Sequence, residues 1–167
     1  PNAVTSKSGQ TALMWAISFK NPEAAKILID NGADVSAKTI RLKDDAEYSP
    51  MQLGGYAANV QSVPQGGYTP LMFAARVGDL GTARLLLNKG ADVNEVSVED
   101  GSPLVIASSW GHEDLAMYLL DERANPNTAD ANGLTALHYS MRDGLKLLHG
   151  FEISEATRVC GFRSDSL

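Results

Sequence analysis

The stretch Thr69-Pro70-Leu71-Met72-Phe73-Ala74 contains the motif that decides the fold, because the chain carries four versions of it. They begin at residues 11, 69, 102 and 135, so the spacings between them are 58, 33 and 33 residues. They read Thr11-Ala12-Leu13-Met14, Thr69-Pro70-Leu71-Met72, Ser102-Pro103-Leu104-Val105 and Thr135-Ala136-Leu137-His138. Self-similarity at a period of roughly 20 to 50 residues is typical of repeat proteins, in which one small unit is stacked several times.

Two further segments follow the motif at constant distances in the first three units. The first is an apolar triplet, which reads Ile27-Leu28-Ile29, Leu85-Leu86-Leu87 and Tyr118-Leu119-Leu120. The second closes the unit and reads Asn31-Gly32-Ala33-Asp34-Val35-Ser36, Lys89-Gly90-Ala91-Asp92-Val93-Asn94 and Glu122-Arg123-Ala124-Asn125-Pro126-Asn127. Three long matches in one register predict three copies of the same unit, with a fourth copy that diverges.

Each unit begins with the sequence signals of a helix N-terminus. Pro70 and Pro103 stand at the first helical position, where a missing N–H costs nothing. Leu71 and Ala74 are three residues apart and therefore share one face of the predicted helix, as do their counterparts in the other units. We expect this face to lie in the core. Side-chain oxygens that cap the helices are expected from Thr11, Thr69, Ser102 and Thr135.

A second, antiparallel helix is predicted in each unit. The first helix should end near Gly78 or Gly111, with Lys20 at the same place in the first unit. The second helix should then begin near Pro22 or Asp79.

The second helices are expected to end at Asn31-Gly32 and Lys89-Gly90, because glycine adopts the left-handed conformation at little cost. Arg123 stands at the same register in the third unit. A left-handed residue that carries a side chain costs roughly 1 kcal/mol. The sequence therefore predicts a local weak point at Arg123.

On these residues the chain resembles the ankyrin repeat family, whose T-P-L-H-x-A signature and 33-residue period it shares. The sequences of residues 11–16 and 71–76 resemble those of bacterial ankyrin repeat proteins. The resemblance implies an all-α repeat solenoid of stacked helix-turn-helix units, with hairpin fingers and a concave face. It also implies a role in binding other proteins.

The register predicts a single ankyrin repeat domain with one insertion. The first spacing exceeds the period by 25 residues, and the extra chain falls after Lys38, at the tip of the finger between the first two units. This segment contains Tyr48, Met51 and Leu53, so it is too apolar for a plain flexible linker. The predicted boundaries are 5–38 for repeat 1, 39–64 for the insertion, 65–98 for repeat 2, 99–131 for repeat 3, and 132–167 for a divergent repeat 4 with a C-terminal cap.

Both ends of the chain depart from the regular unit. Pro1-Asn2-Ala3 resembles the closing segment Pro126-Asn127-Thr128, so we expect a further repeat upstream of Pro1. In the fourth unit Gly150 stands where Met117 stands in the third. We expect the tail from about Leu145 to cover the last core face as an atypical cap, because terminal repeats need a polar outer surface. Its apolar residues are Leu145, Leu147, Leu148, Phe151, Ile153 and Val159.

Composition excludes several classes of function. Fourteen Lys and Arg against twenty Asp and Glu leave a net charge of −6, and the basic residues are scattered, so neither nucleic acid nor an anionic membrane is an expected partner. No apolar run is long enough to span a bilayer, and no signal peptide is present near Pro1. We expect a soluble monomer. A single cysteine leaves the compartment open between cytoplasm and bacterial periplasm.

The sequence predicts no enzyme, no cofactor and no metal site. The resemblance gives His138 and His112 structural roles, since the first occupies the signature histidine position and the second follows Gly111. His149 and Cys160 are the remaining candidates for a nucleophile and its base, and nothing in the sequence indicates a lowered thiol pKa. Ligand spacings such as C-x-x-C are absent, and no glycine-rich stretch reads as a nucleotide loop.

Residues near the end of each first helix and along the fingers are not needed inside the stack, so a partner is expected there. Large aromatic and arginine side chains among them are typical of binding hot spots. The candidate partner-binding residues are Phe19, Tyr68, Arg76, Val77, Ser109, Trp110, Arg142 and Asp143. The sequence thus predicts a non-catalytic module that binds a protein or peptide in its concave groove. An alternative is a structural or regulatory arm of a larger, possibly enzymatic, chain.

Overall fold

The computed structural model describes residues 1–6, 8–40 and 66–141. These residues form helices linked by turns, and their β-structure is limited to isolated bridges such as that between Ser97 and Gly101. The helices are α1 (Ala12–Ser18), α2 (Pro22–Asp30), α3 (Pro70–Val77), α4 (Leu80–Asn88), α5 (Pro103–Ser109) and α6 (Glu113–Asp121). Residues 136–141 are also helical and form α7.

The helices are stacked as antiparallel pairs, which confirms the predicted all-α solenoid. α1 packs on α2, α3 on α4 and α5 on α6, and the first helices α1, α3 and α5 pack on one another in that order. The motif leucines Leu13, Leu71 and Leu104 are each at most 1% exposed, and Ala74 and Ala107 are fully buried. These small residues let neighbouring helices approach closely, and a core of buried residues runs through the first three repeats, from Leu13 to Ala124.

Side-chain caps are predicted at the start of α1, α3 and α5, and the structure has them at α1 and α5. The side-chain oxygens of Thr11 and Ser102 accept hydrogen bonds from the N–H groups three residues later, at 3.3 and 3.5 Å. The predicted side-chain cap at Thr69 is wrong. The N–H of Met72 donates instead to the Thr69 carbonyl at 3.0 Å, which leaves the buried Thr69 hydroxyl without a hydrogen bond.

The helix ends are left-handed where the sequence predicts them. Gly78 has a φ of 74°, and Lys20 has a φ of 52° at the same register. At the ends of the second helices, Gly32 and Gly90 have φ values of 81° and 92°, and Arg123 has a φ of 68°. The left-handed conformation predicted for Arg123 is therefore confirmed, and it is the conformation that L-residues with a side chain avoid.

Asparagine side chains join one unit to the next. Asn94 accepts a hydrogen bond from the N–H of Asn125 at 2.7 Å and donates to the carbonyl of Arg123 at 3.3 Å. Asn2 makes the same pair of bonds to the backbone of residues 32–34, at 2.8 and 3.4 Å. The first residues of the chain thus contact the first unit as the end of one repeat contacts the next.

The finger between the first two units is closed at its base. Thr39 donates its N–H to the carbonyl of Tyr68 at 3.0 Å and accepts from the N–H of Gly67 at 3.1 Å. The Thr39 hydroxyl also accepts from the N–H of Tyr68 at 2.9 Å. The two points where the chain leaves and re-enters the stack, at Thr39 and at Gly67–Tyr68, are therefore neighbours in space. The rest of the predicted insertion lies outside the described residues, and its boundaries remain a prediction, as do those of the other units.

The fourth unit is described as far as residue 141. Its helix α7 contains the motif residues Ala136, Leu137 and His138. The predicted C-terminal cap lies outside the described residues. Among residues 1–6, 8–40 and 66–141, no helix is long and apolar enough to cross a membrane.

Candidate functional site

The centre of the candidate site is the Arg76 guanidinium, which lies between two aromatic rings. Its central carbon is 5.4 Å from the ring centre of Tyr68 and 5.9 Å from that of Trp110. Both distances are within the roughly 6 Å reach of a cation–π interaction. Arg76 is in the last turn of α3, and Trp110 follows α5. The stacking of α3 on α5 therefore brings two predicted residues from different repeats together.

An acidic residue of the finger fixes the position of this arginine. Asp100 forms an ion pair with Arg76 in which Nη2 and Oδ2 are 2.9 Å apart. The Asp100 N–H donates to the hydroxyl of the buried Ser97 at 3.1 Å, so the turn of the finger holds the carboxylate in place. The Tyr68 hydroxyl donates to Asp100 at 2.8 Å and to Glu99 at 3.3 Å.

These contacts keep the Tyr68 phenol protonated. Partial burial raises the pKa of Tyr68 well above its ordinary value of about 10, and the hydrogen bond and negative charge of Asp100 raise it further. Glu99 acts in the same direction, whereas the positive charge of Arg76 acts weakly against them. Tyr68 is therefore a fixed hydrogen-bond donor and a platform for Arg76 rather than an acid or a base.

The outer surface of the site is formed by Trp110, which is 58% exposed. The side chain of Arg76 is 43% exposed. Ser109, which precedes Trp110, donates its hydroxyl to the carbonyl of Ile106 at 2.9 Å, and Val77 is half-buried against the core. An exposed tryptophan thus lies beside an arginine whose geometry is already set.

Phe19 lies in the first repeat and forms a separate aromatic pair. It is 72% exposed and stacks on Trp15, with ring centres 5.6 Å apart and ring planes 18° apart. Trp15 is itself 44% exposed and is absent from the residues predicted to bind a partner. Its spacing of four residues from Phe19 is the signal that could have found it, because side chains four apart on a helix are neighbours.

The remaining candidate residues lie outside the part of the chain that the structure describes. Arg142 and Asp143 follow the last described residue of α7. His149 and Cys160, the sequence's candidates for a nucleophile and base, lie farther along the same tail.

The described histidines contact backbone atoms. The ring nitrogen Nδ1 of His138 accepts the N–H of Thr135 at 3.1 Å and lies 2.9 Å from the Thr135 hydroxyl. Nε2 of His112 lies 3.1 Å from the carbonyl oxygen of Arg76. These are the structural roles that the resemblance implies. Within the described ranges, no three His, Cys, Asp or Glu side chains are placed to hold a metal ion.

Comparison with known families settles what the stacked units are. A family profile described as Ankyrin repeat matches residues 8–40 and 66–98, and one described as Ankyrin repeats (many copies) matches residues 104–144. The chain belongs to the ankyrin repeat family. Ankyrin repeats generally mediate protein–protein interaction. The matches fall on both sides of the predicted insertion and extend into the divergent fourth repeat.

Several named proteins are similar to this ankyrin repeat chain over part of its length. The Probable E3 ubiquitin-protein ligase XBOS33 of Oryza sativa subsp. japonica is 44% identical over 78 residues, which cover 46% of this chain and 15% of the relative. The Ankyrin repeat, SAM and basic leucine zipper domain-containing protein 1 of Nomascus leucogenys is 34% identical over 90 residues, or 52% of this chain and 19% of the relative. The human Neurogenic locus notch homolog protein 2 is 32% identical over 143 residues, or 77% of this chain and 6% of the relative.

Each of these relatives extends far beyond the segment that resembles this ankyrin repeat chain. The chain spans less than a fifth of the length of each of the three. The word ligase in one name describes a protein of which this chain matches a small part. All three relatives are eukaryotic, so they give no support to the expected bacterial origin.

Proposed function

We propose that this chain is a non-catalytic recognition module, and that the strip around Trp110 and Arg76 binds a protein or peptide partner. The observation that carries the proposal is the exposed Trp110 beside an Arg76 that is held by Tyr68 and Asp100. Tryptophan and arginine are the residue types most enriched among interface hot spots.

The rigidity of the strip supports binding without a large rearrangement. A flexible arginine loses rotamer freedom when a partner fixes it, at a cost of roughly 0.5 to 1.5 kcal/mol. Arg76 already makes an ion pair with Asp100 and lies near two rings, so its rotamers are already restricted in the folded chain and this cost should be smaller. The partner then gains contacts with a surface that is ready to receive it.

The test begins with capture of partners on the immobilised chain and their identification, followed by affinity measurements on each purified partner. We expect Trp110→Ala to weaken binding by roughly tenfold or more, the effect of losing one hot spot. Ile27→Ala is the matched control, because Ile27 is also apolar and 63% exposed but lies on the second helix α2. Equal affinities for wild type and Trp110→Ala, with the fold intact, would show that the strip is not the binding surface.

Asp100→Asn distinguishes the effect of holding Arg76 in position from the effect of direct contact with the partner. It keeps the Trp110 and Arg76 side chains but removes the charge that holds the guanidinium, so we expect a smaller loss of affinity than for Trp110→Ala. A loss equal to that of Trp110→Ala would instead assign Asp100 a direct contact with the partner.

A second proposed role is that of a structural or regulatory arm of a larger protein. The relatives favour it, because each is more than five times as long as the matched segment. Deleting these repeats from the full-length protein should then alter its activity or its set of partners. An unchanged activity and an unchanged set of partners would remove this role.

A further inference from the structure

The strip around Trp110 and Arg76 holds more negative charge than its arginine balances. Arg76 pairs with Asp100, whose Oδ2 lies 2.9 Å from Nη2. Glu99, the residue before Asp100, lies in the same cluster, because its carboxylate accepts from the Tyr68 hydroxyl at 3.3 Å. Glu99 forms no ion pair with any lysine or arginine in the part of the chain that the structure describes. Its charge is therefore uncompensated within that part.

The two finger carboxylates share one hydrogen-bond donor. A phenol has a single O–H to donate, and the Tyr68 hydroxyl lies 2.8 Å from Asp100 and 3.3 Å from Glu99. The shorter contact goes to the carboxylate that Arg76 already neutralises. Glu99 is thus left with the weaker hydrogen bond and with a like charge beside it, an arrangement that an additional cation would stabilise.

The raised pKa of Tyr68 reports the sign of the local electrostatic field. Burial is the largest cause of this raised pKa, and the hydrogen bond to Asp100 follows. The negative charges of Asp100 and Glu99 also raise it, and each acts more strongly than the opposing positive charge of Arg76. These three charges therefore make the potential at the Tyr68 hydroxyl negative despite the nearby guanidinium.

Apolar surface belongs to the same strip and finger. Trp110 is 58% exposed, and Val98, which precedes Glu99, is 36% exposed. Lysine and arginine carry an apolar stem below a charged head, so they can pack on such surface and still present their charge to a carboxylate. Tryptophan is in addition the aromatic residue that attracts cations best. The strip thus has the chemistry that a basic side chain needs.

An acidic segment would fit this surface poorly. The cation of the strip, Arg76, is already paired with Asp100. A carboxylate brought to Arg76 would also approach Asp100 and Glu99, and juxtaposed like charges are unfavourable in an interface. The whole chain acts in the same direction, since its net charge of −6 favours the approach of cations. Charge complementarity therefore selects a basic partner.

We propose that the partner segment bound by the strip is a basic peptide segment, and that one of its lysine or arginine side chains pairs with Glu99 beside Trp110. This inference rests on the proposed function, because it names the class of partner for the same site.

Selection from a random peptide library tests the chemistry of the partner. Phage that display short random peptides are selected on the immobilised full chain at low salt, where charges are little screened, and the recovered peptides are sequenced. Lysine and arginine should be enriched over the unselected library, and aspartate and glutamate should be depleted. A synthetic copy of the most enriched peptide is then the ligand for affinity measurements.

Glu99→Gln tests the proposed pair, because it removes the charge and keeps the size of the side chain. Affinity for the peptide should fall roughly two- to fivefold, the effect of one partly exposed ion pair. Glu23→Gln is the matched control and should bind as the wild type does, since Glu23 is an exposed glutamate in the first turn of α2. Glu99→Lys should lose affinity for the peptide, and replacing the pairing lysine or arginine of the peptide by glutamate should restore part of it.

The outcomes separate this inference from the proposed function. Peptides that lose affinity with Trp110→Ala but are not enriched in lysine or arginine would overturn the basic partner and leave the strip as the binding surface. Equal affinities for Glu99→Gln and Glu23→Gln would do the same. Basic peptides that bind Trp110→Ala as tightly as the wild type would instead show that the strip is not the binding surface, and the inference would fall with it. Recovery of no peptide above the level of the bare support would refute both.

Discussion

Replacing Arg123 by glycine is expected to stabilise the chain, although glycine in most positions does the opposite. Arg123 has a φ of 68°, and this left-handed conformation costs an L-residue roughly 1 to 2 kcal/mol. Glycine adopts the conformation without that cost but loses roughly 0.4 to 1 kcal/mol more through its freedom in the unfolded chain. The midpoints of these two ranges leave a gain of about 0.8 kcal/mol.

Arg123→Ala is the matched control for this gain. Arg123 also places a positive charge near the C-terminus of α6, which is favourable by a few tenths of a kcal/mol and is lost equally in both variants. The hydrogen bonds described for Arg123 use its backbone, so neither variant removes them. The difference in the free energy of unfolding between the glycine and alanine variants therefore measures the effect of a β-carbon in the left-handed turn.

Denaturant unfolding of the full chain measures both variants against the wild type. The free energy of unfolding of the glycine variant should exceed that of the alanine variant by about 0.5 to 1 kcal/mol, which is roughly a two- to fivefold difference in the unfolding equilibrium. Amide exchange around Arg123 should slow in the glycine variant, since a repeat protein can open locally. A glycine variant no more stable than the alanine variant would show that the strain in the turn does not exceed the entropy that glycine loses on folding, and would refute the predicted gain.

The remaining predictions concern packing and pH. Gly78→Ala should destabilise the fold by about 1 kcal/mol more than Gly32→Ala, because an added β-carbon would lie 2.6 Å from the His112 ring at Gly78 and would meet nothing within 4 Å at Gly32; equal losses in thermal unfolding would refute the clash. Leu104→Ala should cost about 2 to 5 kcal/mol in denaturant unfolding, since the side chain is 1% exposed, and a loss below about 1 kcal/mol would contradict its place in the core. The folded chain holds the Tyr68 proton more tightly than the unfolded chain, so its stability should fall as pH rises above about 10; Tyr68→Phe should lessen that fall, and an unchanged pH profile would contradict the raised pKa.

The fold was predictable because its signals recur at one period. Helix ends at Gly32 and Gly90 made the left-handed turn at Arg123 predictable, since the same backbone position must recur in every unit. The cap at Thr69 was not predictable in the same way. The group on a threonine that accepts an N–H can be its hydroxyl or its carbonyl, and the residue type does not distinguish them.

The sequence names Tyr68, Arg76 and Trp110 as candidate site residues but does not give their arrangement. Register alone places Arg76 and Trp110 at the ends of successive first helices. The contact between them depends on Asp100, which acts through an ion pair set by the turn of a finger. Such turns have no hydrophobic period, so the residue can be read from the sequence but the direction of its side chain cannot. Trp15 is a different omission, since helical spacing would have revealed its stack on Phe19.

The pairing of Thr39 with Tyr68 gives the stack a place where loop length can vary almost independently of stability. A loop whose two ends are already held together costs only about 0.6 kcal/mol more for each doubling of its length. Changes in the number of residues between Thr39 and Tyr68 should therefore add little loop-closure entropy. Because Tyr68 also supports Arg76, any new sequence spliced in there would emerge next to the candidate site and could add to what it recognises.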